Sequence, residues 1–145
     1  MAKTISIING PNLNLLGARE PEVYGKETLD DIIKRVSSHA KAGGFAISDF
    51  QSNNEGEIVD AIQNLPKDCC GLIINPAAYT HTSVAIRDAI AALSVPVVEV
   101  HISNVFSREE FRSHSYISPV ASGVISGFGS NGYILAVDAL IGLVK

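Results

Sequence analysis

The segment GPNLNLLGAREPEVYG, residues 10–25, brings Asn12, Asn14, Arg19 and Tyr24 into a link between an apolar run and a helical period. Strand-to-helix links usually take ~2–6 residues, and structureless ones beyond ~12 are usually functional lids or disorder. Further along, Asn75, Tyr79, Thr80, His81 and Thr82 follow a second apolar run. A third, VPVVEVHISN, ends in Glu99, His101, Ser103 and Asn104, with Arg108 and Arg112 just beyond. Amide, hydroxyl, imidazole and guanidinium groups suit a small hydroxylated anion whose carboxylate meets backbone N–H groups or an arginine. The chemistry within their reach is proton transfer. On a strand, positions 99, 101 and 103 share one face, which sets a carboxylate beside an imidazole. A glutamate inside VVEVHI is costly to bury unless paired. Tyr24 is the other candidate: a phenol titrates near ~10, so a base near neutrality needs a fall of roughly 2–3 units, about 3–4 kcal/mol. Arg19 could supply most of that in a water-poor site, with Gly17 and Gly25 as hinges for closure.

Other chemistries lack their signatures. There is no G-x-x-x-x-G-K-[ST] phosphate loop, no G-x-G-x-x-G opening a helix, and no Ser/Thr cluster in the first loop for a flavin phosphate. Neither the first nor the third strand-like run ends in aspartate, and no lysine is expected inside a strand or at the crest, which argues against an imine mechanism. Cys69 and Cys70 are adjacent and the only cysteines, so they make neither a disulfide framework nor a four-ligand zinc site and read as buried thiols. The net charge of −4, without a basic stripe, argues against nucleic acid and against a membrane surface as partners. The start, MAKTISIINGPN, is too short for a signal-peptide core, and a cytoplasmic location is expected.

The positioning elements follow from periodicity. With 46% hydrophobic and 18% charged residues, the 145-residue chain fits a single domain, 1–145. Strands are expected at 4–10, 45–50, 71–76, 95–102 and 123–129. One-sided helices are marked by Leu29/Ile32/Ile33/Val36, Ile58/Ala61/Ile62/Leu65, Ile86/Ala89/Ile90/Leu93 and Ile134/Val137/Ile141/Val144. Thr28 with Asp31 and Ser107 with Glu110 read as capping boxes, and Gly43 and Gly44 end the first helix. Strands alternating with helices imply an α/β, doubly wound parallel sheet. The commonest such order is the flavodoxin-like 2-1-3-4-5, with ligands outside the carboxyl ends of the strands. The polar groups named above leave strands one, three and four, which that order makes neighbours, while QSNNEGE leaves strand two at an edge.

INGPNLNLLGAREPEVYG, INPAAYTHTSVAIRDA and VEVHISNVFSREEFRSHSYIS resemble the three signature segments of the type II 3-dehydroquinate dehydratases, hydro-lyases of the shikimate pathway, and the similarity runs on to GFGSNGYILAVDAL. The resemblance implies trans elimination of water from 3-dehydroquinate. In it Tyr24 takes the proton beside the ketone, Arg19 keeps Tyr24 ionised, and Asn12 holds a water against the enolate. His101, oriented by Glu99, is the acid. Asn75, His81 and Arg112 bind substrate hydroxyls and position the ring, and Ile102 and Ser103 offer backbone N–H groups to the carboxylate. Asp88 reaches the site of a neighbouring subunit in a homododecamer, a tetramer of trimers. No metal or organic cofactor is expected. One departure is Asn54, where the family often has histidine. Taken singly, His81 is an ordinary helix-start residue, Asn75 before Pro76 a turn former, and Asp88 beside Arg87 a surface residue. A flavodoxin-like redox carrier and a catalytically silent binding module for shikimate-like acids are the alternatives.

Overall fold

In a computed structural model, which describes residues 3–18, 20, 22 and 25–144, the Ile- and Val-rich runs form β1 (Lys3–Asn9), β2 (Phe45–Gln51), β3 (Cys69–Asn75), β4 (Val97–His101) and β5 (Gly123–Ser126). All pairings are parallel, in the order β2-β1-β3-β4-β5, as the alternating pattern predicts. The starts of β2 and β5 fall where expected, and the other strand ends differ from expectation by one to three residues. β3 starts two residues early at Cys69, and β5 stops at Ser126 because Gly127 and Gly129 take positive φ. Lys3 opens β1, inside a strand after all, but at its amino end and exposed.

The helices are α1 (Leu29–Ala42), α2 (Glu55–Gln63), α3 (Val84–Ala91) and α4 (Asn131–Val144). Thr28 and Asp31 form the expected capping box on α1: each side chain accepts from the other's backbone N–H. α1 and α4 bury Ile32, Val36, Val137 and Leu140 against Ile5, Ile7, Ile73, Val98 and Val100. On the opposite face α2 and α3 bury Ile58, Ile62, Ile86 and Ile90 against Ile8, Leu72, Ile74 and Val97. Each such side chain contributes roughly 1.5–3 kcal/mol by leaving water. The α4 expectation was half a face off. Tyr133, Ala136, Val137 and Leu140 are the fully buried residues, whereas Ile134, Ile141 and Val144 are partly buried.

Two crest loops meet between β1 and β3, where the strand order reverses. Asn9 of β1 lies in register with Asn75 of β3, and the Gly10 N–H bonds the Asn75 carbonyl at 2.8 Å. A Cβ on Gly10 would stand 2.4 Å from the Pro76 carbonyl oxygen, so only glycine lets the loops close here. Ala77, next in the β3 loop, sits at φ 53, where a Cβ costs about 1–2 kcal/mol. Ala77→Gly therefore raises stability by about 1 kcal/mol, or roughly 3 °C in Tm by calorimetry. A lower Tm would show that the Ala77 methyl contributes more by packing than its backbone strain costs.

Candidate active site

At the carboxyl ends of β1, β3 and β4 lies a cavity of about 200 Å³. Of the residues singled out from the sequence, Asn12, Asn75, His81, His101, Ile102, Ser103, Arg108 and Arg112 line it. A larger hollow of about 500 Å³ between α2 and the β1–β2 face contains none of them, so the smaller cavity carries the chemistry.

Asn12 is built from strand two as well as strand one. Its φ of 70° is left-handed, a conformation asparagine tolerates, and its backbone N–H donates to Asn53 Oδ1 at 3.0 Å. Gln51 Nε2 bonds both Asn53 Oδ1 and the Gly10 carbonyl, and the Tyr79 hydroxyl donates to the Asn53 carbonyl at 2.7 Å. The segment leaving β2 thus reaches across to the site. Asn54 beside it accepts from the Glu57 N–H at 3.1 Å and caps α2, a task asparagine performs well.

Glu99 and His101 share a face of β4 as period 2 requires, and His101 Nε2 lies 2.5 Å from Glu99 Oε2. Glu99 is fully buried. Its carboxylate accepts from Thr80 Oγ1 at 2.6 Å, Ser118 Oγ at 2.6 Å and Ser115 Oγ at 3.1 Å. Burial alone would raise its pKa; the hydrogen bond and charge of His101, with the bonds from Ser118 and Thr80, outweigh burial and hold it below the ordinary carboxylate range. An anionic Glu99 takes the Nε2 hydrogen, which leaves Nδ1 as the ring nitrogen available for chemistry.

His81 is set the other way. The His114 carbonyl oxygen, 2.7 Å from Nδ1, can only accept, so Nδ1 carries the hydrogen. Desolvation lowers the pKa of His81, and the nearby charges of His101 and Arg112 lower it further against the His114 bond. The neutral ring keeps a lone pair on Nε2, an acceptor for a ligand hydroxyl. Arg108 and Arg112 keep their side chains largely out of solvent: Arg108 Nη1 bonds Ser103 Oγ at 3.4 Å and Arg112 Nε bonds Glu109 Oε2 at 3.1 Å. Two cations in the wall, with a neutral imidazole as acceptor, suit an anion that also carries hydroxyls.

The model of the family described as "Dehydroquinase class II" matches residues 3–141. The chain belongs to the class II dehydroquinase family. It is 57% identical over 143 residues to "3-dehydroquinate dehydratase" of Cereibacter sphaeroides (strain KD131), covering 99% of this chain and 97% of that one. It is 56% identical over 138 residues to "3-dehydroquinate dehydratase 2" of Pseudomonas aeruginosa, covering 95% and 93%. The crystal structure of type II dehydroquinase from Butyrivibrio crossotus superposes with a TM-score of 0.94 at 46% identity, covering 97% of this chain and 98% of that one.

For a class II dehydroquinase, the remaining expectations divide. Asp88 is exposed on α3, outside this cavity, and pairs with Arg87 at 2.9 Å. Arg19 and Tyr24 lie outside the described residues. Asn14 is exposed and does not line the cavity. Ser107 and Glu110 make no capping box. Two short 3-10 turns, Val105–Ser107 and Glu110–Ser113, replace the expected helix; Ser107 Oγ bonds back to the Asn104 carbonyl, and Asn104 caps the first turn. Cys69 and Cys70 are half-buried rather than buried, on a strand near the sheet's amino end, with thiols on the Gly71 and Thr4 carbonyls. Arg108, expected with Arg112 as a cation near the site, lies in the cavity wall. Among the described residues, no group of three or more His, Cys, Asp or Glu could hold a metal ion, and no helix is long and apolar enough to cross a membrane.

Proposed function

We propose that this chain, acting as one catalytic domain over residues 1–145, converts 3-dehydroquinate to 3-dehydroshikimate and water in the shikimate pathway. The observation that carries this reading is the meeting of Asn12, Asn75, His81, His101 and Arg112 in one cavity, with the buried Glu99 carboxylate behind His101. Tyr24, as phenolate beside Arg19, removes the proton next to the ketone and leaves an enolate. Asn12 holds a water against the enolate oxygen. His101 Nδ1 gives its proton to the departing hydroxyl, so water leaves and a carbon–carbon double bond forms in conjugation with the ketone. The backbone N–H groups of Ile102 and Ser103, with Arg112, receive the carboxylate, and neutral His81 accepts from a substrate hydroxyl.

The exposed Phe106, Phe111 and Phe128, each more than half accessible, support burial against further copies of the chain. The assembly proposed is a homododecamer of four trimers, with Asp88 meeting a neighbour's site. A cytoplasmic location accompanies this biosynthetic role. The test is the near-ultraviolet absorbance of purified protein with 3-dehydroquinate and no added metal or cofactor. A rapid rise is expected. A bound ligand with no rise would leave a silent binding module in place of the enzyme.

A further inference from the structure

We propose that Tyr133 is a positioning residue for this reaction, holding the Asn75 side chain as a hydrogen-bond donor toward a substrate oxygen; this rests on the dehydratase reading above. Tyr133 stands in the first turn of α4, fully buried beneath the junction of β1 and β3, and its place in the core comes from the opposite end of the chain. Its hydroxyl donates to Asn9 Oδ1 at 2.6 Å and accepts from Asn75 Nδ2 at 3.0 Å, and Asn75 Oδ1 in turn accepts from the Ala77 N–H at 3.1 Å.

The direction of this chain is dictated by its one unambiguous member. A backbone N–H only donates, so Ala77 demands the oxygen of Asn75 and turns the amide nitrogen toward Tyr133. The Tyr133 oxygen, receiving that hydrogen, must send its own proton to Asn9. Burial, opposed only partly by the bond from Asn75, drives the Tyr133 pKa upward, so the hydroxyl keeps that proton. Flipping the Asn75 amide would set donor against donor at Ala77, a loss of about 1–3 kcal/mol. One Nδ2 hydrogen is spent on Tyr133. Asn75 lines the cavity, so the other is what its amide offers there, and Asn75 serves a substrate hydroxyl or carbonyl oxygen as a donor.

A second observation separates this role from ordinary core packing. Asn9 Nδ2 is buried without a hydrogen-bond partner. A half-satisfied polar network is worse for stability than an apolar core. Asn9 and Tyr133 therefore retain polar groups that stability alone would discard, and what the network delivers is the orientation of Asn75.

Tyr133→Phe keeps the ring and removes only the hydroxyl. Steady-state kinetics should show KM for 3-dehydroquinate raised about 5–10-fold with kcat within about threefold, the signature of lost uniform binding. Asn9→Leu tests the same relay from its far end. It removes the acceptor together with the unpartnered N–H, so it should fold, and the Tyr133 hydroxyl, released from Asn9, no longer holds its oxygen toward Asn75 Nδ2, which loosens the Asn75 side chain and should raise KM by a similar factor. If Tyr133→Phe does not fold, Asn9→Leu decides alone. Unchanged KM in the folded variants, with only Tm altered, would overturn the relay. An unmodified protein that leaves 3-dehydroquinate intact would instead overturn the reaction, and the positioning role with it.

Discussion

His101→Ala slows dehydration by about 10³-fold, within the range a positioned general acid contributes, while exchange of the substrate's proton beside the ketone continues. Removing the imidazole leaves Glu99 with the hydroxyls of Thr80, Ser115 and Ser118 as donors, so the buried carboxylate stays paired and the fold survives. The acid is lost, but the base that makes the enolate is untouched. Incubation in deuterated water, followed by mass spectrometry of recovered substrate, should show deuterium entering faster than product forms. Exchange that vanishes together with dehydration would mean that His101 takes part in enolate formation, and the division of roles would fail.

Glu99→Gln is the milder companion. Its amide nitrogen can face Ser118, whose hydroxyl can turn to accept, while its oxygen stays toward His101 Nε2. Geometry is kept and the negative charge is lost, so kcat should fall by about 10²-fold rather than 10³-fold. The same charge gives Glu99 a stake in acid stability. Its pKa is lowered on folding, so its stabilisation is present above the ordinary carboxylate range and fades as pH drops through the lowered value.

The sheet was legible because a parallel strand covered on both faces is written as a run of Ile and Val, and its order is the commonest one for five such strands alternating with helices. The Glu99–His101 pair was legible for the same local reason, two residues on one strand with period 2. What lay beyond reading were partners fixed by long separations. Asn53 holds Asn12 from 41 positions away and Tyr133 reaches Asn9 from 124, and neither bond leaves a periodic trace. α4 is apolar over much of its circumference, so periodicity selected a face beside the one that Tyr133 anchors. Ser115 sits in irregular chain and Ser118 opens a short 3-10 turn, Ser118–Val120, and in such places a serine that cradles a carboxylate looks like any turn serine. The strain at Ala77 was hidden because alanine does not advertise a left-handed backbone as glycine does.

Tyr24→Phe is expected to abolish more than this. Without the phenolate no other group proposed for the site removes the carbon-bound proton, so kcat should fall by at least about 10³-fold, and deuterium exchange should fall with it. That joint loss distinguishes Tyr24 from His101. Bringing a phenol from ~10 toward neutrality needs about 3–4 kcal/mol in favour of the phenolate, the task proposed for Arg19 as counter-cation. The described ends of the segment are suited to presenting the pair. Gly17 and Gly25 both take positive φ, and just beyond, Glu27 is fastened to Ser130 and Arg35 at the junction of α1 and α4. A Cβ on Gly17 would come within 2.9 Å of the Lys26 carbonyl oxygen, which fixes how closely the two ends of the segment approach. Since the proposed function gives the carboxylate and hydroxyls of the substrate to the cavity wall, the Kd of a non-reacting analogue should change less than about tenfold in Tyr24→Phe, whereas kcat collapses. A near-normal rate would remove Tyr24 as the base; a collapse of affinity equal to that of rate would make it a binding residue instead.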